Sequence, residues 1–194
     1  MRVLLLFCHP VETSFHAALH QTAKEALERS GHVVDDLDLY REGFDPVLTR
    51  EERLGYHDTE TNRAPVQPYV DRLLATEALV FCFPVWNFGP PAMLKGFLDR
   101  VFLPGVAFEL SESSELVPAM QHIRKIAAIT TYGRPRWVAW YMGDPPRRLI
   151  TRQFRRLIQP GAKVDYMGFY AIDASSEQKR KAFLDRVAER MASF

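Results

Sequence analysis

Only two cysteines, Cys8 and Cys82, occur in 194 residues, and each sits inside a short apolar run. That scarcity excludes a disulfide framework, and the surroundings suit buried, reduced thiols of a cytoplasmic protein better than a redox pair. Long hydrophobic runs are also missing. No apolar stretch approaches the roughly 20 residues that a membrane-crossing helix needs, so membrane insertion is not expected. Residues 1–7 have a superficial likeness to the apolar part of a secretion signal. They break at His9-Pro10, lack a small-residue cleavage site and lead into an amphipathic pattern, so they read as a first strand. Nor is either sign of charge in excess. A formal net charge of +1 creates no bulk field, and no nucleic-acid partner is expected.

Other absences narrow the class further. There is no internal repeat, no low-complexity tract and no Gly/Ser linker, so residues 1–194 read as a single domain. The Gly-x-Gly-x-x-Gly fingerprint of dinucleotide-binding folds and the lysine of a Walker loop are both missing. What is present is a regular alternation. Apolar runs at 3–8, 78–83, 126–131 and 164–170 are bounded by Pro, Gly or polar residues, as strands buried on both faces should be. A fifth run, 33–39, is more polar and fits an edge strand. Helical patterns lie between them at 15–29, closed by Gly31, and at 66–76 and 92–102. Two more run at 147–158, closed by Pro160-Gly161, and at 176–191, with Ser175 or Ser176 as N-cap. This order predicts a doubly wound α/β sheet with helices on both faces, whose ligand site lies beyond the carboxyl ends of its strands.

The unusual residues do gather there. After the first strand come His9, Pro10, Thr13, Ser14, Phe15 and His16, opening a long helix whose free N–H groups suit a phosphate. The plainer alternative is a capped helix with Ser14 as N-cap. His16 and His20 stand one turn apart, a spacing that metal sites use, but no third ligand supports them. No metal is expected, and His20 is assigned to the surface. After the third strand, Pro84, Val85, Trp86, Asn87, Phe88, Gly89, Pro90 and Pro91 form a rigid apolar rim suited to a flat aromatic partner. After the fourth come Thr130, Thr131, Tyr132 and Gly133. The local arginine cluster, Arg134 to Arg156, reads either as a solvated helix face or as a contact for ligand phosphates.

These loops resemble the NAD(P)H:quinone oxidoreductase family, the DT-diaphorase-like branch of flavodoxin-like proteins. The resemblance rests on His9-Pro10 with Thr13-Ser14-Phe15, on residues 83–102, and on Gly105-Val106-Ala107-Phe108; beyond Gly133 only the strand and helix pattern corresponds. It implies a five-stranded parallel sheet of order 2-1-3-4-5 and a bound flavin, with FMN favoured and FAD possible. His9, Thr13, Ser14, Phe15 and His16 correspond to phosphate and ribityl contacts. Pro84, Val85, Trp86, Asn87 and Phe88 correspond to the shelf under the ring system, and Thr130, Thr131, Tyr132 and Gly133 to its opposite border. Phe108 corresponds to an aromatic closing the substrate pocket across a homodimer interface, and Trp137 stands in the same neighbourhood.

The activity so implied is two-electron reduction of quinone-like acceptors, with NAD(P)H as co-substrate. Tyr132 replaces a glycine that this loop often carries in the family. It is the candidate supporting donor, and no protein acid or base is assigned. An alternative reading is a flavin-bearing regulatory subunit of a potassium efflux system. A single-electron carrier is disfavoured, because such carriers are acidic and this chain is near neutral.

Overall fold

Apolar runs without alternation must be covered on both sides, and the molecule is arranged around that need. The structure, a computed structural model, describes residues 1–111 and 115–194. In chain order the elements are β1 (Arg2–Phe7), α1 (Phe15–Arg29), β2 (Val33–Asp38), α2 (Arg50–Leu54), α3 (Gln67–Leu74), β3 (Ala78–Val85), α4 (Ala92–Val101), β4 (Phe108–Leu110), β5 (Leu116–Pro118), β6 (Lys125–Tyr132), α5 (Arg136–Tyr141), α6 (Pro145–Arg148), β7 (Lys163–Tyr170) and α7 (Glu177–Ala192). The main sheet runs β2-β1-β3-β6-β7 and is parallel throughout. This is the expected 2-1-3-4-5 order once the short β4–β5 hairpin is set aside. That hairpin was not anticipated from the sequence, because three-residue strands carry too little periodicity to register.

Alternation along β1, β3 and β6 sorts their side chains between two cores. Val3, Leu5, Val80, Cys82, Ala127 and Ile129 face α1 and α7, with Leu19, Leu27, Phe183 and Val187. Leu4, Leu6, Phe81, Phe83, Ile126 and Ala128 face the other way, onto Val70, Leu73, Leu94, Phe97 and Phe154. The polar strand β2 lies at one edge, as expected. Cys8 and Cys82 are buried and unpaired, and burial pushes the Cys8 thiol up to about 12.

Two helices differ from expectation. The pattern at 147–158 is not one α-helix: α6 begins on Pro145-Pro146, then a π-helical stretch, Leu149–Gln153, and a 3-10 turn, Phe154–Arg156, follow. The Thr151 hydroxyl donates to the Arg147 carbonyl at 2.7 Å, the kind of side-chain competition that bends a helix. In the charged segment 40–65, Thr49 and Glu52 form a capping box that starts α2. The segment is fastened onto α4, where the guanidinium of Arg100 donates to Glu52 at 2.6 and 2.9 Å and Gly96 lets Pro46 approach the helix backbone.

Candidate active site

In this sheet the strand order reverses between β1 and β3, and the cleft opens at their carboxyl ends. Register fixes what meets there: Phe83 lies beside Thr130, Pro84 beside Thr131 and Val85 beside Tyr132. The loops after β1, β3 and β6 are then joined side chain to side chain. The His9 ring lies 5.7 Å from Trp86 and 5.9 Å from His16, nearly parallel to the latter. His16 Nδ1 is 3.2 Å from the Thr131 hydroxyl. One continuous row of rings and a hydroxyl therefore spans all three loops.

Each loop is built for its place. His9 Nδ1 accepts from the Val11 amide at 3.1 Å, and Ser14 caps α1 by accepting from Ala17. Phe15 turns away to pack 5.7 Å from Phe169. His16 is 3 % exposed, and its Nε2 is buried without a hydrogen-bond partner. Burial holds its imidazole down at about 3, with the neighbouring His9 acting in the same direction. His16 is therefore neutral at physiological pH. Burial also lowers the less enclosed His9.

The shelf loop is strained. Trp86 and Gly89 exchange two backbone hydrogen bonds, of 3.1 and 2.9 Å, and the two residues between them, Asn87 and Phe88, have φ of 48° and 61°. This is the two-residue turn that needs both central residues left-handed; asparagine tolerates that, but a β-carbon as large as phenylalanine's does not do so freely. Strain of this kind collects at ligand sites. Phe88→Gly is expected to be more stable than Phe88→Ala by about 1 kcal/mol, the reverse of the usual order, because both lose the ring but only alanine keeps the left-handed penalty. Urea denaturation of the two variants checks this.

A cleft of about 460 Å³ lies against this turn, lined by Val85, Asn87, Phe88, Tyr132, Gly133, Arg134 and Asp173. A larger groove of about 1480 Å³ is lined by Pro90, Phe102, Phe108, Met142, Arg148 and Phe154 among others. The smaller cleft is lined by the loops after β3 and β6 with Asp173 after β7, and the loop after β1 adjoins them through the His9–Trp86 contact; its volume lies within the range of small-molecule sites.

Three assignments change. Tyr132 lines the cleft, yet its hydroxyl is spent: it donates to Asp144 at 2.6 Å and lies 2.5 Å from the Tyr166 hydroxyl. Its ring stacks on Tyr170 at 4.4 Å. A phenol has one proton, so Tyr132 forms a wall and not a free donor; burial pushes its ionisation far up. Trp137 lines neither cavity and is 69 % exposed on α5. His20 is not a surface residue. It is buried, stacked 4.3 Å from Phe7, and its Nε2 lies 2.7 Å from Asp36 Oδ1. Sequence reasoning also missed Asp173, which follows β7 and brings Oδ2 to 2.9 Å from where a Gly133 β-carbon would stand. Nothing near it in the sequence signals a site.

The donors present fit a phosphorylated flat ring. A fifteen-residue helix presents its N-terminus, the Thr13 and Ser14 hydroxyls sit beside it, a buried polar nitrogen lacks a partner, and an aromatic turn borders the cleft.

The comparisons with known proteins agree with this arrangement. The family model described as flavodoxin-like fold matches residues 1–193. A curated relative, NAD(P)H dehydrogenase [quinone] 1 of Rattus norvegicus, is 31% identical over 148 residues, covering 68% of this chain and 54% of its own. The chain thus spans about half the length of the curated relatives it matches. The solved structure of Smu.1420 from Streptococcus mutans UA159 superposes with a TM-score of 0.90 at 30% identity over 100% of both chains. That of the NAD(P)H:quinone oxidoreductase from Methanothermobacter marburgensis has a TM-score of 0.83 at 24% identity, over 100% of this chain and 96% of its own, a likeness of fold. None of these similarities is to a potassium efflux subunit, and that alternative gains no support.

Proposed function

We propose, from the premise that this chain belongs to the flavodoxin-like fold family, that it is a flavin-dependent NAD(P)H oxidoreductase reducing quinone-like aromatic acceptors by two electrons. The observation that carries this reading is the unbroken row Trp86–His9–His16–Thr131, which ties the loops after β1, β3 and β6 together at the carboxyl ends of their strands.

A flavin held here would supply the chemistry, two-electron hydride transfer between NAD(P)H and the acceptor. The chain's own residues bind and orient. The α1 N-terminus with Thr13 and Ser14 holds a phosphate, a single terminal one if the cofactor is FMN. Pro84, Val85, Trp86, Asn87 and Phe88 form the shelf, and Thr131, Tyr132 and Gly133 the opposite border, with Thr130, expected at that border, buried behind it in the fold. No side chain at the cleft is assigned as acid or base, since the Tyr132 proton is engaged with Asp144.

The acceptor's access is set by the groove that contains Phe108. Its walls carry Asp99 and Glu115 against Arg148, Arg152 and Arg156, and Leu110, Leu116 and Val117 of the hairpin beside it are exposed. Apolar surface with both charges is self-complementary under a two-fold axis, which supports a homodimer closing over this groove. Among the described residues no helix is long and apolar enough to cross a membrane, and the buried reduced thiols suit a cytoplasmic setting.

The test is the absorbance spectrum of the purified protein with the mass of the ligand released on denaturation, which also separates FMN from FAD. A yellow protein that oxidises NAD(P)H and reduces a naphthoquinone is expected. A protein still colourless after reconstitution with either flavin would overturn the reading.

A further inference from the structure

Immediately past the cleft the surface changes character. Arg134 lines the cleft beside Gly133, and α5 begins at Arg136 with Trp137, Trp140 and Tyr141 on its outer face. These three are 69 %, 78 % and 77 % exposed. Trp140 lies four residues from Arg136 and three from Trp137, so it neighbours both on the helix surface, and Tyr141 lies four from Trp137. Arg147 and Arg148 follow on α6, Arg147 with its guanidinium over the Tyr166 ring. Among the described residues none of Arg134, Arg136, Arg147 and Arg148 forms an ion pair, whereas Arg2, Arg72, Arg100 and Arg190 each have a carboxylate.

The one carboxylate between residues 134 and 164 is Asp144, and it is turned inward. It sits at the joint of α5 and α6 with φ 45°, its amide donates to Ala139 at 2.9 Å, and its Oδ1 accepts from Tyr132. Residues 134–148, which reach the cleft through Arg134, thus carry exposed aromatic rings and guanidinium groups that form no ion pair among the described residues.

We infer that this face, formed by Arg134, Arg136, Trp137 and Trp140 with Arg147, receives the 2′-phosphorylated adenosine half of NADPH, so that the chain prefers NADPH to NADH. The inference rests on the proposed function, which puts the nicotinamide end in the adjoining cleft. An exposed indole stacks on a purine whatever its polar edge presents. A guanidinium without a carboxylate binds a phosphate dianion through paired N–H groups. Both features are needed only if the ligand carries an aromatic ring and an anion close together, and the 2′-phosphate is what NADH lacks.

Titration calorimetry of the flavin-loaded protein with adenosine 2′,5′-bisphosphate and with 5′-AMP tests it, because it reads nucleotide binding without turnover. The bisphosphate is expected to bind about tenfold tighter. Arg136→Ala and, independently, Arg134→Ala should erase most of that difference, and Trp137→Ala should weaken both nucleotides alike. The kcat/KM ratio of NADPH to NADH should fall in parallel in the arginine variants. Equal affinities for the two nucleotides, or equal use of the two coenzymes, would overturn the inference while leaving flavin-dependent NAD(P)H oxidation standing. It would equally be overturned if Arg136→Ala changed the sedimentation of the protein without changing nucleotide affinity, since the face would then lie between copies. Binding to phosphatidylglycerol vesicles in place of nucleotide would also overturn it.

Discussion

Lowering the pH from about 7 to about 4.5 is expected to cost the folded state about 2–3 kcal/mol through His16 alone. In the unfolded chain this imidazole titrates near its ordinary value of about 6.5. In the fold, burial holds it down at about 3. Between those two values the unfolded state binds the extra proton, so stability is complete above about 6.5 and falls steadily as the pH drops toward 3. At about pH 4.5, roughly two pH units below the unfolded value, one extra proton on the unfolded chain has cost about 1.4 kcal/mol per unit, which sets the figure. His16→Asn, which keeps a polar group facing Thr131, removes the titration, so the difference in urea stability between the two pH values should shrink by about that amount. An unchanged pH dependence in the variant would mean that His16 is not the buried neutral group described. Asp36, held well below the usual carboxylate range despite its burial, by His20 and Lys24, adds a loss at still lower pH; the His16 variant leaves that part intact.

Gly96→Ala is expected to destabilise the protein by about 3 kcal/mol, although the same change in an exposed helix interior usually stabilises. A β-carbon there would stand 2.2 Å from the Pro46 carbonyl oxygen and 2.4 Å from the Pro46 β-carbon. The obstruction is largely backbone, which cannot swing aside as the end of a flexible side chain would. Either α4 or the chain around Pro46 must retreat, and Arg100, buried beside it, would lose its grip on Glu52. At about 2–4 °C per kcal/mol for a chain of this size, a thermal midpoint lowered by roughly 6–12 °C follows. A midpoint that holds or rises would show that the Pro46 segment is not seated on α4. Because α4 starts directly behind the shelf loop, flavin retention should weaken in the same variant.

How much of this could be read from the chain varied with the range of the interactions involved. The central strands were legible because a strand covered on both faces shows as a continuous apolar run, and no neighbour can disguise that. The Ser14 and Ser176 caps were legible because they act within three residues. The 147–158 helix was misjudged because the Thr151 hydroxyl competes for a carbonyl one turn back, a choice that periodicity does not express. His20 went to the wrong side because its partner, Asp36, arrives from the strand that follows its helix, β2.

By itself, then, the order of residues determined the parallel sheet, its winding and the ends of the strands at which the distinctive loops gather. Each of those follows from local pattern and from the burial that a pattern demands. Only the tertiary structure decided that Tyr132 spends its proton on Asp144, that His16 is sealed off and neutral, and that Asp173 reaches Gly133. These outcomes depend on which groups from distant segments come within a few ångströms of each other. Hydrogen bonding and desolvation are set at that range and leave no mark on sequence spacing.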